Sequence, residues 1–215
     1  DEIPPNSILL NIEQLDTKLH KWTERIVSWC RKPLRFWDYS DSNISYLKRS
    51  NFTHVEKLHL GYTPRLSRLQ LASDKASDYI FYGCINERRR KIIEEFQMSG
   101  LNLRALYGYF GKKRDDEVVK SRAVLNIHFY ESEIFEVVRA NYLFHNKIPL
   151  LSEINQTSQI DGSLKKCIWH APREELVSLA TVLANNPTLL DERAEHAFML
   201  LSKQPQAEIM KRLLL

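Results

Sequence analysis

Apolar positions along this chain switch between two spacings, and the switches mark out alternating strands and helices. From residue 78 onward, largely apolar runs at 79–82, 103–107, 124–127 and 148–151 alternate with helically spaced segments at 87–98, 115–121 and 133–145. Near-continuous apolar runs imply strands covered on both faces, and helices between them supply right-handed crossovers, so a doubly wound parallel sheet is predicted. Residues 167–169 add a candidate further strand. Helices are predicted near 173–184 and 188–202, with Pro172 and Pro187 at or near first turns.

The first third is less regular. Residues 8–10 form a short apolar run that turns polar at Asn11, Glu13 and Gln14, and 18–29 carries Leu19, Trp22, Ile26 and Trp29 at helical spacing. A strand is predicted at 34–37, followed by a helix containing Ile44 and Leu47 with Ser42 or Asn43 as its cap. Val55, Leu58 and Leu60 mark a third strand that Gly61 and Pro64 stop. The polar, poorly periodic stretch 66–77 reads as a linker. The predicted organisation is a partial N-terminal α/β unit at 1–65, the linker at 66–77, a Rossmann-like domain at 78–204 and a C-terminal amphipathic helix at 205–215.

Composition narrows the function classes. The chain is 43% apolar, and its net charge of +4 comes from 31 Lys and Arg interspersed with 27 Asp and Glu. No nucleic-acid partner is implied by that mixture. Cys30, Cys84 and Cys167 lie far apart with no metal spacing, so neither a disulfide framework nor a metal site is expected, and a reducing cytoplasm fits. No apolar run approaches the ~20 residues that span a bilayer. The chain opens Asp-Glu-Ile-Pro-Pro rather than with Met, and the first unit is short for a domain, so either a missing N-terminal portion or a reduced domain is expected.

The stretch DYIFYGCINERRRKIIEEF carries the most legible chemistry. In a doubly wound sheet, ligands sit beyond the carboxyl ends of the strands, where helix N-termini present free N–H groups. Gly83 allows close approach of a ligand to the backbone, and Asn86 can cap the following helix. Arg88 and Arg89 fall in its first turn, where a cation opposes the helix dipole unless something negative is nearby. Arg90 and Lys91 read as solvated charges beside Glu94 and Glu95. The pattern is neither G-x-G-x-x-G nor a P-loop, which argues against a dinucleotide enzyme or an NTPase. Gly108 after Tyr107, His128, and Ser152 with Glu153 stand at the ends of neighbouring strands, and the four strand ends converge on one edge.

The phrases DYIFYGCINERRRKII, GYFGKKRDDEVVKSRAVLNIHFYES and IFEVVRANYLFHNKIPLLSE resemble the C-terminal half of GT-B glycosyltransferases. The similarity is to the bacterial group-1-like proteins found with capsular and lipopolysaccharide genes. NIEQL, WDYSDSN and LHLGYTP resemble the end of that family's N-terminal domain and its hinge. The resemblance implies an α/β, GT-B-like fold: a doubly wound Rossmann-like C-terminal domain behind a reduced or truncated N-terminal unit. It implies a nucleotide-sugar donor held mainly by the second domain and a glycan or lipid-linked acceptor approached from the first.

In such enzymes a carboxylate near the start of the helix after the fourth strand, or its equivalent, holds the ribose hydroxyls. Glu136 best matches it, with Glu131 and Glu133 as competitors. No Asp-x-Asp occurs in the sequence, so the implied transfer is metal-independent and needs no cofactor, with Arg88 or Arg89, backbone N–H groups and a helix pole stabilising the leaving diphosphate. Glu13 is the preferred base, ahead of Asp38. Lys21, Trp22, Arg25, Trp29, Arg31 and Lys32 could sit against anionic lipids, which would make the protein membrane-peripheral. Two alternatives stay open: a glycosyltransferase-like, non-catalytic module that binds a nucleotide or a partner, and a receiver-like regulatory domain.

Overall fold

The computed structural model describes residues 3–4, 6–15, 20–130 and 133–215, with His20 and Lys21 described by their backbone only. Lys18, Leu19 and Glu131, together with the side chain of Lys21, therefore lie outside the described residues. The chain divides into two compact units, one of residues 1–60 with 207–215 and one of residues 61–206.

In the first unit, β1 (Ile8–Asn11), β2 (Arg35–Asp38) and β3 (Val55–Lys57) form a parallel sheet in that order, with α1 (His20–Cys30) and α2 (Asp41–Arg49) as crossovers. Side chains alternate between the faces of a strand, so adjacent Phe36 and Trp37 must be buried by different neighbours. Phe36 packs with Ile26, Cys30, Ile44, Leu47 and Val55. The cap of α2 is Ser40, whose hydroxyl accepts from Asn43 N–H, rather than the expected Ser42 or Asn43. Asn43 instead turns its amide inward to the Asp38 carboxylate, a use the cap preference of its residue type conceals.

The second unit runs β4 (Ser77–Tyr82), α3 (Glu87–Met98), β5 (Leu103–Leu106), α4 (Gly111–Val118), β6 (Ser121–Asn126), α5 (Val137–His145), β7 (Leu150–Glu153), α6 (Gly162–Lys165), β8 (Trp169–Ala171), α7 (Leu176–Ala184) and α8 (Pro187–Ser202). Its five strands are parallel in the order β5-β4-β6-β7-β8. Tyr79, Phe81, Leu125 and Ile127 bury one face against Ile92 and Phe96 of α3 and Leu176 and Ala180 of α7. Ile80, Val124 and Leu150 bury the other against Val118 of α4, Leu143 and Phe144 of α5 and Ala197 of α8. The order reverses between β4 and β6, and such a switch point opens a crevice at the carboxyl edge.

Several expected bounds shift for local reasons. The helix expected at 115–121 is α4, which starts at Gly111 and buries only Asp115 and Val118, so its early turns carry no apolar signal. Ser121 belongs to β6, paired with Ser77. The helix expected from 133 begins at Val137, because Glu133 takes a positive φ of 48° and Ile134 bridges to Gln159. Ser152 and Glu153 lie within β7 rather than beyond it, fully buried, with Ser152 in register with Asn126.

The stretch 66–77 lies inside the second unit and is laced to it. Arg68 and Leu69 N–H both donate to Asn146 Oδ1 at 2.9 Å, and Ala76 N–H donates to the Lys120 carbonyl at 2.7 Å. The last helix, α9 (Gln206–Leu214), groups with the first unit, where Ile209, Met210 and Leu213 cover Trp37, Leu58 and Ile8. It supplies the second face that Trp37 requires.

Phe96 is fully buried edge-on to Tyr79, with ring centroids 5.8 Å apart. Phe96→Ala is expected to cost about 3–5 kcal/mol in urea unfolding. Met98→Ala, on the same helix but 78% exposed, should stay within about 0.5 kcal/mol. Equal effects would refute the packing described for α3.

Candidate functional site

The switch point between β4 and β6 is lined by groups from the turns that follow them. Gly83 has a φ of +139°, and a Cβ there would lie 3.4 Å from Arg139 Nη2 and 3.5 Å from Arg89 Nη1. Those distances are ordinary van der Waals contacts, so it is the backbone conformation that requires glycine. Asn86 caps α3, its Oδ1 accepting from Arg89 N–H at 2.9 Å while its Nδ2 donates to the Phe129 carbonyl at 3.0 Å.

Arg89 is 4% exposed. Its Nε and Nη2 donate to the Ile127 carbonyl at 3.0 and 2.5 Å, its Nη1 donates to the Cys84 carbonyl at 2.8 Å, and Glu136 Oε1 lies 3.5 Å from Nη2. The rings of Phe81 and Phe129 flank the guanidinium at 5.2 and 5.0 Å. Burial pulls its pKa down to about 10, opposed by Glu136, so it remains a cation at neutral pH.

Arg88 donates through Nη1 to Glu153 Oε2 at 2.8 Å and to the His128 carbonyl at 3.1 Å, and through Nη2 to Glu153 Oε1. Glu153 is fully buried at the end of β7. Burial alone would raise its pKa, but hydrogen bonds from Arg88 and Asn155 hold it below the usual carboxylate range. The negative group that a cation in the first turn of α3 requires is thus Glu153, within the protein. Neither arginine is turned to bulk water.

Around these two lies a polar lattice. Glu136, the N-cap residue of α5, accepts from Asn126 Nδ2 at 2.7 Å. Asn126 also donates to Ser152 Oγ at 3.0 Å and accepts from Arg139 Nη1 at 2.5 Å. His128, 1% exposed, meets Ser158 Oγ through Nε2 at 3.1 Å. Its Nδ1 is a buried nitrogen without a hydrogen-bond partner among the described residues, 3.8 Å from Glu136 Oε2. Glu133 turns the other way and fastens two loops, accepting from Asn155 Nδ2 at 2.8 Å, Thr157 Oγ1 at 2.6 Å and Ser158 Oγ at 3.1 Å. Those hydrogen bonds outweigh its burial and lower its pKa.

Of the residues proposed from sequence, Gly83, Asn86, Arg88, Arg89, His128, Glu136, Ser152 and Glu153 meet in this cluster. Glu133 joins it through Ser158 and Asn155. Gly108 does not: it follows edge strand β5, and a Cβ there would meet open space. Asn126, Arg139, Asn155 and Ser158 were missed. Arg139 carried a usable signal, being another cation in the first turn of a helix.

In the first unit, Glu13 is exposed in the turn after β1, its carbonyl accepting from Asn11 Nδ2 at 3.0 Å and Asn43 Nδ2 at 2.8 Å. Asp38 is fully buried and accepts from Asn11 Nδ2 at 2.6 Å, Ser40 N–H at 2.8 Å and Asn43 Nδ2 at 3.1 Å. Burial pushes its pKa up to about 6 against these bonds. Asp38 therefore organises the turn that presents Glu13. On α1, Arg25 lies over Trp22 and Trp29 at 5.4 and 4.9 Å, and Trp22 is half exposed. Among the described residues no helix is long and apolar enough to cross a membrane.

No family model matches this sequence. Three uncharacterized proteins of Acanthamoeba polyphaga mimivirus are similar to it, at 27% identity over 158 residues, 29% over 116 and 28% over 184. These matches cover 70%, 53% and 83% of this chain but 21%, 13% and 62% of those proteins, less than two thirds of each. Among solved structures, Anabaena HepE in complex with UDP and glucose is similar with a TM-score of 0.68 at 9% identity, over 96% of this chain and 69% of that one. TarM is similar with a TM-score of 0.60 at 11% identity, over 90% of this chain and 45% of that one. A mutant S. aureus TarM in complex with Fondaparinux, alpha-GlcNAc-glycerol and UDP gives 0.64 at 9% identity, over 90% of this chain and 46% of that one. These likenesses show the α/β, GT-B-like fold expected from the sequence.

Two outcomes follow from the site's electrostatics. Arg88→Ala leaves Glu153 buried without its cation; because Arg88 is about a third exposed, the loss should be roughly 2 kcal/mol rather than the full penalty of a buried pair. Adding Glu153→Gln should restore part of it in thermal unfolding, and a double variant no better than the single would refute the pairing.

Asp38 generates the second. Its raised pKa favours the protonated folded state, so its contribution is fully present below its unfolded value near 3.8 and is lost as pH rises through about 6. Relative to Asp38→Asn, the unaltered first unit should lose about 2 kcal/mol between pH 4 and 6. Tryptophan fluorescence in a Trp169→Phe background, where Trp22, Trp29 and Trp37 all report the first unit, measures it. Parallel pH profiles would exclude the assignment.

Proposed function

We propose that this chain belongs to a glycosyltransferase that moves a sugar from a nucleotide-sugar donor to a surface-glycan or lipid-linked acceptor. One observation carries the reading: at the switch point of a doubly wound sheet, a glycine with room for close approach is flanked by guanidinium groups and the N-termini of two helices. The likeness to HepE in complex with UDP and glucose and to a TarM mutant in complex with UDP supports it. So does the agreement between the quoted sequence phrases and the GT-B-like fold.

In this reading the donor diphosphate lies against Gly83, and the positive field around it stabilises the charge that develops as the glycosidic bond breaks. That field comes from the protein's own cations, so the transfer is read as metal-independent and cofactor-free. Arg88 and Arg89 contribute charge while staying bonded to Glu153 and to backbone carbonyls. Glu136, held by Asn126, is the proposed acceptor for the ribose hydroxyls. Asn86, His128, Glu133, Ser152 and Glu153 hold the framework, and Gly108 contributes only its loop. Glu13 is the proposed base for the acceptor hydroxyl, its exposure leaving the carboxylate accessible. The Trp22, Arg25 and Trp29 stack of α1 is the proposed peripheral membrane contact, with the protein placed in the cytoplasm.

The three cysteines allow a direct test. Cys84 is exposed beside Gly83, whereas Cys30 and Cys167 are buried, with the Cys30 thiol pushed up to about 12 and that of Cys167 also raised. Saturating UDP or GDP should slow alkylation of Cys84 at least about fivefold, because the diphosphate covers the neighbouring turn. Glu13→Gln should abolish release of nucleoside diphosphate in the presence of acceptor while leaving this protection intact. Unslowed alkylation with every nucleoside diphosphate would remove the donor site, and undiminished turnover would remove Glu13 from the mechanism.

A further inference from the structure

Two of the three guanidinium groups around Gly83 are already balanced. Arg88 is matched by Glu153, and Arg89 by Glu136 and two backbone carbonyls. Arg139 is not. Its hydrogen-bond acceptor is the neutral Asn126 Oδ1, its guanidinium lies 4.8 Å over the Tyr82 ring, and no carboxylate pairs with it among the described residues. It stands in the first turn of α5, where a cation opposes the helix dipole, and is half-buried rather than dispersed into water. Arg88 meets the same unfavourable placement and has Glu153; Arg139 has no such partner among the described residues.

A second observation marks the same spot as unsaturated. The Nδ1 of His128, 1% exposed, lacks a hydrogen-bond partner among the described residues and faces Glu136, which shares Asn126 with Arg139. The Nη2 of Arg139 is also the atom nearest to where a Gly83 side chain would be, so the space that glycine leaves open is space beside this guanidinium.

We infer that Arg139 makes the direct contact with the diphosphate of the bound nucleotide, while Arg88 and Arg89 remain tied to the protein. The inference rests on the nucleotide-sugar reading and gives its donor site a specific anion receptor. A guanidinium presents paired N–H donors that match phosphate oxygens, and the α5 pole lies beside it. Asn126 keeps its bonds to Glu136 and Ser152 without Arg139, so removing the charge leaves the lattice standing.

The experiment is calorimetric titration of the 215-residue chain with UDP, GDP and inorganic pyrophosphate, for the unaltered sequence and for Arg139→Met, which keeps an apolar stem against Tyr82. Affinity for the bound diphosphates should fall at least about tenfold in Arg139→Met, the effect of a lost charge-assisted phosphate contact. Arg139→Lys should recover part of it. Melting temperatures of all three proteins should agree within about 2 °C, which a purely structural role would not allow. Diphosphate binding unchanged within twofold in Arg139→Met overturns this inference and leaves the nucleotide-sugar reading in place. A weakened affinity accompanied by a large fall in melting temperature overturns it as well. Failure of the unaltered chain to bind any of the three overturns both.

Discussion

The carboxyl edge of the larger sheet is organised by the burial of one guanidinium. Arg89 reaches from the first turn of α3 to the carbonyl of Ile127 past the end of β6 and to that of Cys84 after β4, with its charge screened by Glu136 and its faces covered by Phe81 and Phe129. A buried cation is tolerated only where its hydrogen bonds are met, and here all three guanidinium nitrogens reach backbone or carboxylate oxygens. The two strands on either side of the topological reversal are thereby held at a fixed spacing. Gly83, Asn86, Asn126 and Glu136 take their positions from that spacing.

The charges at the edge are nearly neutralised from within, which distinguishes this site from a simple basic pocket. Desolvated ion pairs are rigid because separating them exposes an uncompensated charge in a low-dielectric setting. The Arg88 pair and the Arg89 lattice therefore serve as a scaffold, and among the described residues Arg139 is the one of the three guanidinium groups without a carboxylate partner. Localisation of this kind favours selectivity for a compact anion over general attraction to polyanions, in keeping with a surface where Lys and Arg are interspersed with Asp and Glu.

Much of the larger unit was legible because its strands carry short, mostly apolar runs and its helices are amphipathic. The bounds expected for α3 are those found, and the glycine, the asparagine cap and the arginine run all fell at one strand end. What escaped notice was polar and buried. Ser152 and Glu153 ended an apolar run that the backbone continues, and Asn126 broke a run at the point where the site begins. Asn43 resembled a cap and proved to be an inward ligand of Asp38. Residue type carries no signal of burial when the partner lies 28 to 47 positions away, as for Asn43 with Leu15 N–H and Arg89 with Glu136. The pairing of Arg88 with Glu153 across 65 positions was hidden for the same reason, although the dipole argument had required some anion there.

The return of α9 to the first unit bears on the order in which a nascent chain acquires its structure. Domains made on the ribosome generally fold as units in the order they emerge. Here residues 8–57 emerge before 61–206, but the cluster of Trp37 and Leu58 is completed only when Ile209 and Met210 follow. This earlier segment thus completes its packing only after residues 61–206 have been synthesised. In the interval its exposed indole and strand surface would be a natural substrate for holdase chaperones, while the larger unit, whose elements are contiguous, matures without waiting.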